Sequence, residues 1–343
     1  MIYPKHIFRK IAILLFSVLL TACGNPQKKE VLIQGRTMGT FYHVKIITSD
    51  STEKTEEKIR KRLEEINRSM STYDKESEIS RFNRIQDTET KFRISQDFMN
   101  VMQVAEKLYR LTGGAWDGSI DPLINLWGFG RAGLKQEVPE KDEIQKGLSR
   151  TGFHHIEISP EGWLRKKIPE ITLDLASIAK GYGVDQVGKV IAETGIRDYL
   201  VEIGGEIYAS GLRADGKQWR VGINRPKPDA AFDDIYKVLR LRDKGFATSG
   251  DYRNFFMKEG IRYSHVLDPR NGYAVSNRVV SASVIADTCT FADGLATALM
   301  VLGPEKSLEL VRGLENTECL LIREKEDGSL EDFSSPGFYA ENY

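Results

Sequence analysis

The sequence predicts an α+β fold. Two long stretches carry helical periodicity, one from Glu53 to Met70 and one from about Ser95 to Gly113-Gly114. Short alternating runs such as Phe41–Ile47, Trp219–Ile223 and Val279–Ile285 read as strands. Strands and helices follow one another without a regular strand–helix–strand repeat, which excludes a doubly wound parallel sheet, and no repeat at solenoid spacing occurs.

Taken in order, Gly24 to Val31 is polar and reads as a tether. Leu32 to Thr48 reads as two strands around Gly35-Arg36-Thr37-Met38-Gly39-Thr40. The Glu53–Met70 helix places Ile59, Leu63 and Ile66 on one face and is broken by Ser71-Thr72-Tyr73-Asp74. The second helix runs through Met99, Val101, Met102, Ala105, Leu108 and Leu111. Gly113 to Gly130 is rich in glycine and aromatics and has no clean period; it reads as a loop of the kind that lines sites or joins helices. Pro139–Thr151 reads as a short helix, and Ile156–Leu173 as a hairpin around Glu161-Gly162.

Leu173-Asp174-Leu175 reads as a strand running into small residues, Ala176-Ser177, and then a helix to about Gly195. Small residues at such a turn allow close backbone approach to a ligand. Leu200–Gly211 reads as two strands around Gly204-Gly205. Tyr236–Arg242 alternates, Asp268–Gly272 is rich in turn formers, and Glu318–Ile322 reads as a strand.

Ala286 to Gly303 reads as a helix with a polar entrance and an apolar body, stopped by Gly303-Pro304. Asp287, Thr288 and Thr290 are candidate N-caps, and Thr290 with Asp293 has capping-box spacing. Asp293 and Thr297, at i and i+4, share one face. A carboxylate beside a hydroxyl is hard-oxygen chemistry suited to Mg²⁺ or Ca²⁺. The structural alternative is a first-turn helix acid and a back-bonded threonine.

The chain has 343 residues, 41% hydrophobic and 29% charged, a globular composition. Its formal net charge is zero, so nothing points to nucleic acid. Lys5, Arg9 and Lys10 precede the apolar run Ile11–Leu20, which fits a signal-peptide core. With Leu20-Thr21-Ala22-Cys23 it resembles a bacterial lipoprotein signal, with Cys23 as the lipidated residue. On that reading residues 1–22 are removed, 23–31 form the lipidated cysteine and tether, and 32–343 form the folded domain. Cys289 and Cys319 leave one disulfide open as a possibility, and no Cys/His cluster suggests zinc. His154-His155 read as loop or strand residues.

Seven segments in order resemble the ApbE family of FAD:protein FMN transferases. They are Gly35–Thr40, Gly113–Gly130, Asp174–Asp185, Glu202–Gly205, Thr248-Ser249-Gly250-Asp251, Ser264–Gly272 and Ala292–Thr297. The resemblance covers nearly all of the chain after the tether. It implies mixed sheets with flanking helices, and an FAD and metal site in a central cleft. It implies an enzyme that binds FAD and Mg²⁺, cleaves the FAD pyrophosphate, attaches FMN through its phosphate to a Thr or Ser of an exported protein, and releases AMP. The metal positions that carry over are Asp293, Thr297 and the backbone carbonyl of Ser177. The flavin positions are Met38, Tyr73, Ala115, Trp116, Asp117, Asp174, Lys180 and Leu267, and His265 is the candidate catalytic base or phosphate contact. The chain departs from the family pattern at Ala176-Ser177, where Gly-Gly or similar is common, and at Trp116, where Phe is more common.

The residue chemistry fits those roles. Lys180 at a helix start adds positive charge near an anion, an imidazole such as His265 can take a hydroxyl proton near neutral pH, and Tyr73 and Trp116 suit a flat ring system. Phosphoryl-linked transfer mainly needs positioning and neutralised oxygen charge. The expected partners are FAD, an acceptor domain of an exported or membrane redox complex, and a bacterial membrane holding the lipid, with the domain facing the periplasm or cell exterior. An FAD pyrophosphatase with water as acceptor uses the same site. A flavin-binding lipoprotein without turnover would be expected to lack Asp293, Thr297 or His265.

Overall fold

The computed structural model describes residues 28–130, 137–231 and 233–339; residues 1–22, Cys23 and the start of the tether lie outside them. The main sheet has eight strands, all antiparallel to their neighbours, in the order β1-β2-β6-β7-β10-β13-β14-β15. These are β1 (Lys29–Thr37), β2 (Thr40–Thr48), β6 (Tyr199–Ile203), β7 (Glu206–Ser210), β10 (Lys244–Gly250), β13 (Val279–Ala286), β14 (Glu318–Glu324) and β15 (Leu330–Ser334). Smaller sheets join β3 (Phe92–Arg93), β5 (Trp163–Lys166) and β4 (Ile156–Ser159), then β8 (Trp219–Asn224) with β9 (Ile235–Leu241), and β11 (Phe255–Lys258) with β12 (Ile261–Ser264). The helices are α1 (Glu53–Met70), α2 (Glu78–Asn83), α3 (Gln96–Leu111), α4 (Asp121–Leu126), α5 (Lys141–Leu148), α6 (Ala176–Ala192), α7 (Cys289–Leu302) and α8 (Pro304–Arg312). This is the mixed helix and sheet architecture that the sequence predicts.

The sheet is covered on both faces. Along β14, Cys319 and Leu321 join the helix-side core, while Leu320 and Ile322 join the core beneath the β8–β9 ribbon. Alternate residues of a strand point to opposite faces, so one strand serves two cores. All eight residues of β13 are buried. α7 is apolar nearly all round and correspondingly buried along almost its whole length. It packs on α6, β10 and β13, and Asp185 of α6 anchors its first turn by accepting from the N–H groups of Cys289 and Thr290, both at 2.9 Å. Those donors have no partner within their own helix.

Several expectations change. β1 starts at Lys29, inside the segment read as tether. Leu173–Leu175 forms no strand: Asn83 supplies the amide contacts a strand neighbour would give, Leu173 N to Asn83 Oδ1 at 2.8 Å and Asn83 Nδ2 to Leu173 O at 2.8 Å. Thr288 caps α7 by accepting from Phe291 N. The Thr290–Asp293 capping box does not form, because both side chains are turned to α6: Thr290 to Asp185, Asp293 to Gly181. His154 and His155 sit in a short 3₁₀ turn. Cys289 and Cys319 are both free and buried.

Candidate active site

Helices α6 and α7 lie side by side, and their facing residues form an ionic cluster. Lys180 Nζ lies 2.9 Å from Glu206 Oε1 and 3.6 Å from Asp293 Oδ1. Asp293 Oδ2 accepts from Gly181 N at 2.9 Å. In a regular helix that N–H is aimed at the carbonyl of Ser177, so a second-turn donor of α6 also serves the carboxylate of its neighbour. Thr297 follows one turn along α7, its Oγ1 3.1 Å from Ser249 Oγ at the end of β10. Glu206 enters from the first position of β7, just after the Gly204-Gly205 turn.

Burial raises the Asp293 and Glu206 carboxyls, and the Lys180 ammonium draws both back toward ionisation. For Lys180 burial alone lowers the pKa, and the carboxylates of Asp293 and Glu206 more than reverse it, so the amine stays charged. Glu206 Oε2 is buried and has no hydrogen-bond partner.

A cavity of about 450 Å³ opens over this cluster. Its wall contains Ala115, Trp116, Asp117, Asp174, Ser177, Lys180, His265, Leu267, Asp293 and Thr297, ten of the residues singled out in the sequence. Ile120, Ile124, Met300 and Val301 make part of the wall apolar. Trp116 is 1% exposed and donates from Nε1 to Ser177 Oγ at 3.1 Å. Its ring is a packed wall, in edge contact with Phe153. Asp117 is spent on local structure: it accepts from Ser119 N, Ser119 Oγ and Phe153 N. Asp174 Oδ1 accepts from Ala176 N at 2.8 Å and so shapes the entry to α6.

His265 follows β12 directly. Its backbone N–H and its Nδ1 both meet the carbonyl of Asn254 at 3.1 Å. A carbonyl can only accept, so Nδ1 carries the proton and Nε2 holds the lone pair. Burial lowers the His265 pKa, ahead of the opposing effects of Asn254 and Asp251. The β11–β12 hairpin that carries it is fixed by a two-pronged ion pair from Arg262 to the buried Asp251, with N–O distances of 3.0 and 3.2 Å, and by stacking of Phe256 on Phe129 and Tyr263.

Two expected residues are not brought to the cavity wall. Met38 occupies the β1–β2 turn at φ 48, where its methyl end packs towards Gly183 of α6. Tyr73 stands on the turn after α1 and is 83% exposed. In the other direction, Glu206, Thr248, Ser249 and Gly250 line the cavity without having been singled out as site residues. The signal for Glu206 lay in its place after Gly204-Gly205, where a turn sends the strand back beside α6.

The donors here are suited to a hard cation. Asp293, Thr297 and Ser249 offer only oxygen. Among the described residues no group of three or more His, Cys, Asp or Glu side chains is set for a metal. A cation in this cavity would therefore rest on few protein ligands and leave positions for a substrate's oxygens.

Known proteins resemble this chain in sequence and in fold. The ApbE family model matches residues 38–321. A relative from Vibrio cholerae named FAD:protein FMN transferase is 40% identical over 326 residues, covering 94% of this chain and 95% of its own. One of the same name from Escherichia coli is 33% identical, covering 96% of each. The solved flavin transferase ApbE from Vibrio cholerae superposes with a TM-score of 0.82 over 91% of this chain and 98% of that one. The apo flavinyl transferase ApbE from Pseudomonas stutzeri does so with a TM-score of 0.82 at 34% identity, over 92% and 99%. With a family match spanning most of its length and relatives of that identity from end to end, the chain belongs to the ApbE family.

Proposed function

We propose that this chain is a Mg²⁺-dependent FAD:protein FMN transferase. It moves FMN from FAD to a Thr or Ser hydroxyl of an exported acceptor domain and releases AMP. The observation that carries the reading is the meeting of Lys180, Asp293, Thr297 and His265 in one cavity wall.

Asp293 and Thr297, with the carbonyl of Ser177, would hold Mg²⁺, which when bound neutralises phosphate oxygens. Lys180 places a fixed positive charge at the same pole of the cavity. The apolar wall of Leu267, Ile120 and Ile124 excludes water around a flat ligand. His265 Nε2 takes the proton of the acceptor hydroxyl as its oxygen bonds to the FMN phosphorus and the bond to the AMP oxygen breaks. Its lowered pKa keeps Nε2 free for that step at neutral pH. Met38 and Tyr73 contribute to flavin binding on this reading only through a rearrangement that brings them to the cavity. Cys23 carries the lipid, and the domain faces the periplasm or cell exterior.

The test is AMP release with and without an acceptor domain. The transferase reading expects AMP to appear only with the acceptor, one for each flavin attached. AMP and free FMN at the same rate without any acceptor would instead identify a pyrophosphatase.

A further inference from the structure

Glu206 is a buried carboxylate of the cavity to which neither the proposed chemistry nor a local hydrogen-bond turn gives a task. It is 4% exposed, one oxygen holds the Lys180 ammonium at 2.9 Å, and the other has no partner. Lys180 is also the cation nearest Asp293, at 3.6 Å. The ammonium therefore stands where it can neutralise either carboxylate, and its closer partner is Glu206. Asp293 keeps its second oxygen on the Gly181 N–H.

We infer that Glu206 is a positioning residue that draws the Lys180 ammonium to itself in preference to Asp293, so that Asp293 remains available to a divalent cation. The inference rests on the Mg²⁺ reading above. Its physical basis is competition. An ammonium and a hard cation seek the same carboxylate oxygen, and two like charges at one carboxylate repel. In a site with few protein ligands, losing Asp293 to a lysine removes the only charged ligand from α7. Glu206 offers the ammonium a buried alternative, and β7 fixes that alternative in place through its pairing with β6 and β10. Groups that orient metal ligands in this indirect way typically change metal affinity by about 10–100-fold when altered.

A four-protein cycle tests this: the chain from Gly24, and its Glu206→Gln, Lys180→Met and doubly substituted forms. Mg²⁺ alone is titrated calorimetrically into each, and thermal unfolding reports folding. Glu206→Gln is expected to weaken Mg²⁺ binding by about 10–100-fold where Lys180 is present, and by less than about twofold in the Lys180→Met background, where no ammonium competes. An equal loss in both backgrounds would overturn the inference, because Glu206 would then act on the cation directly. No loss in either would overturn it as well. The double substitution removes both members of the pair and keeps the formal charge, so it reads the coupling even if Glu206→Gln alone folds poorly. Failure of the unsubstituted chain to bind Mg²⁺ at millimolar concentration would instead overturn the Mg²⁺ reading itself.

Discussion

The Gly181 N–H donates to Asp293 Oδ2 at 2.9 Å, which ties α6 to α7 at the ionic cluster. Only glycine permits this approach. A Cβ at position 181 would stand 2.4 Å from the Cys289 carbonyl oxygen and 2.9 Å from Asp293 Cβ. Both neighbours belong to the buried first turns of α7 and cannot yield cheaply. Gly181→Ala is expected to cost about 1–3 kcal/mol of stability, the usual range for overpacking, and to lower transfer through a displaced Asp293. Thermal unfolding beside a transfer assay checks it. Unchanged values of both would show that the helices part without consequence.

Asp293→Asn keeps the shape and removes the charge. Transfer is expected to fall by about 100-fold or more, the scale of losing one fixed electrostatic group at a reacting centre. Added Mg²⁺ should not restore it. Full activity at ordinary Mg²⁺ would remove Asp293 from the metal site.

As the proposed base, His265 is expected to set the pH dependence. Burial lowers its pKa below the usual value of about 6.5, so the acid limb of kcat/KM is expected below pH 6.5. His265→Gln should abolish that limb and reduce kcat more than FAD affinity. The same shift has a stability side. The unfolded chain binds more protons than the folded one between the two pKa values, so stability from this group is present above about pH 6.5 and is lost as pH falls. An acid limb above pH 7 in the unsubstituted enzyme would contradict the assignment.

The two thiols of the chain from Gly24 should be silent in the native state. Burial raises the Cys289 thiol, and it pushes Cys319 up to about 12, so neither forms the reactive thiolate at neutral pH. A thiol reagent is expected to label neither in buffer and both after denaturation without reductant. A single disulfide found by mass spectrometry would contradict the structure.

The elements with a clear period were legible in the sequence. Ile59, Leu63 and Ile66 announced α1, and its observed span is Glu53–Met70. Elements without a period were harder. α2 and α4 are six residues each, too short for a stripe to repeat. β15, with a largely half-exposed pattern, gave little contrast between its faces. The face of α7 proposed to hold the metal could be read as Asp293 and Thr297 at i and i+4, because helix geometry alone aligns them. Glu206 was marked only by its place after Gly204-Gly205, because the role proposed for it depends on β7 lying beside α6, a tertiary relationship. Trp116 and Asp117 show the reverse. Both reach the cavity, yet their polar atoms are committed to Ser177 and to Ser119 and Phe153.

The cavity over Lys180 and Asp293 is proposed to transfer flavin to a protein. The most direct measurement is in-gel flavin fluorescence of a denatured acceptor domain after incubation with the chain from Gly24, FAD and Mg²⁺, with EDTA and Asp293→Asn as parallel lanes. A fluorescent acceptor band that disappears in both parallel lanes is expected. A band of equal strength with EDTA, or with Asp293→Asn, would contradict the proposal.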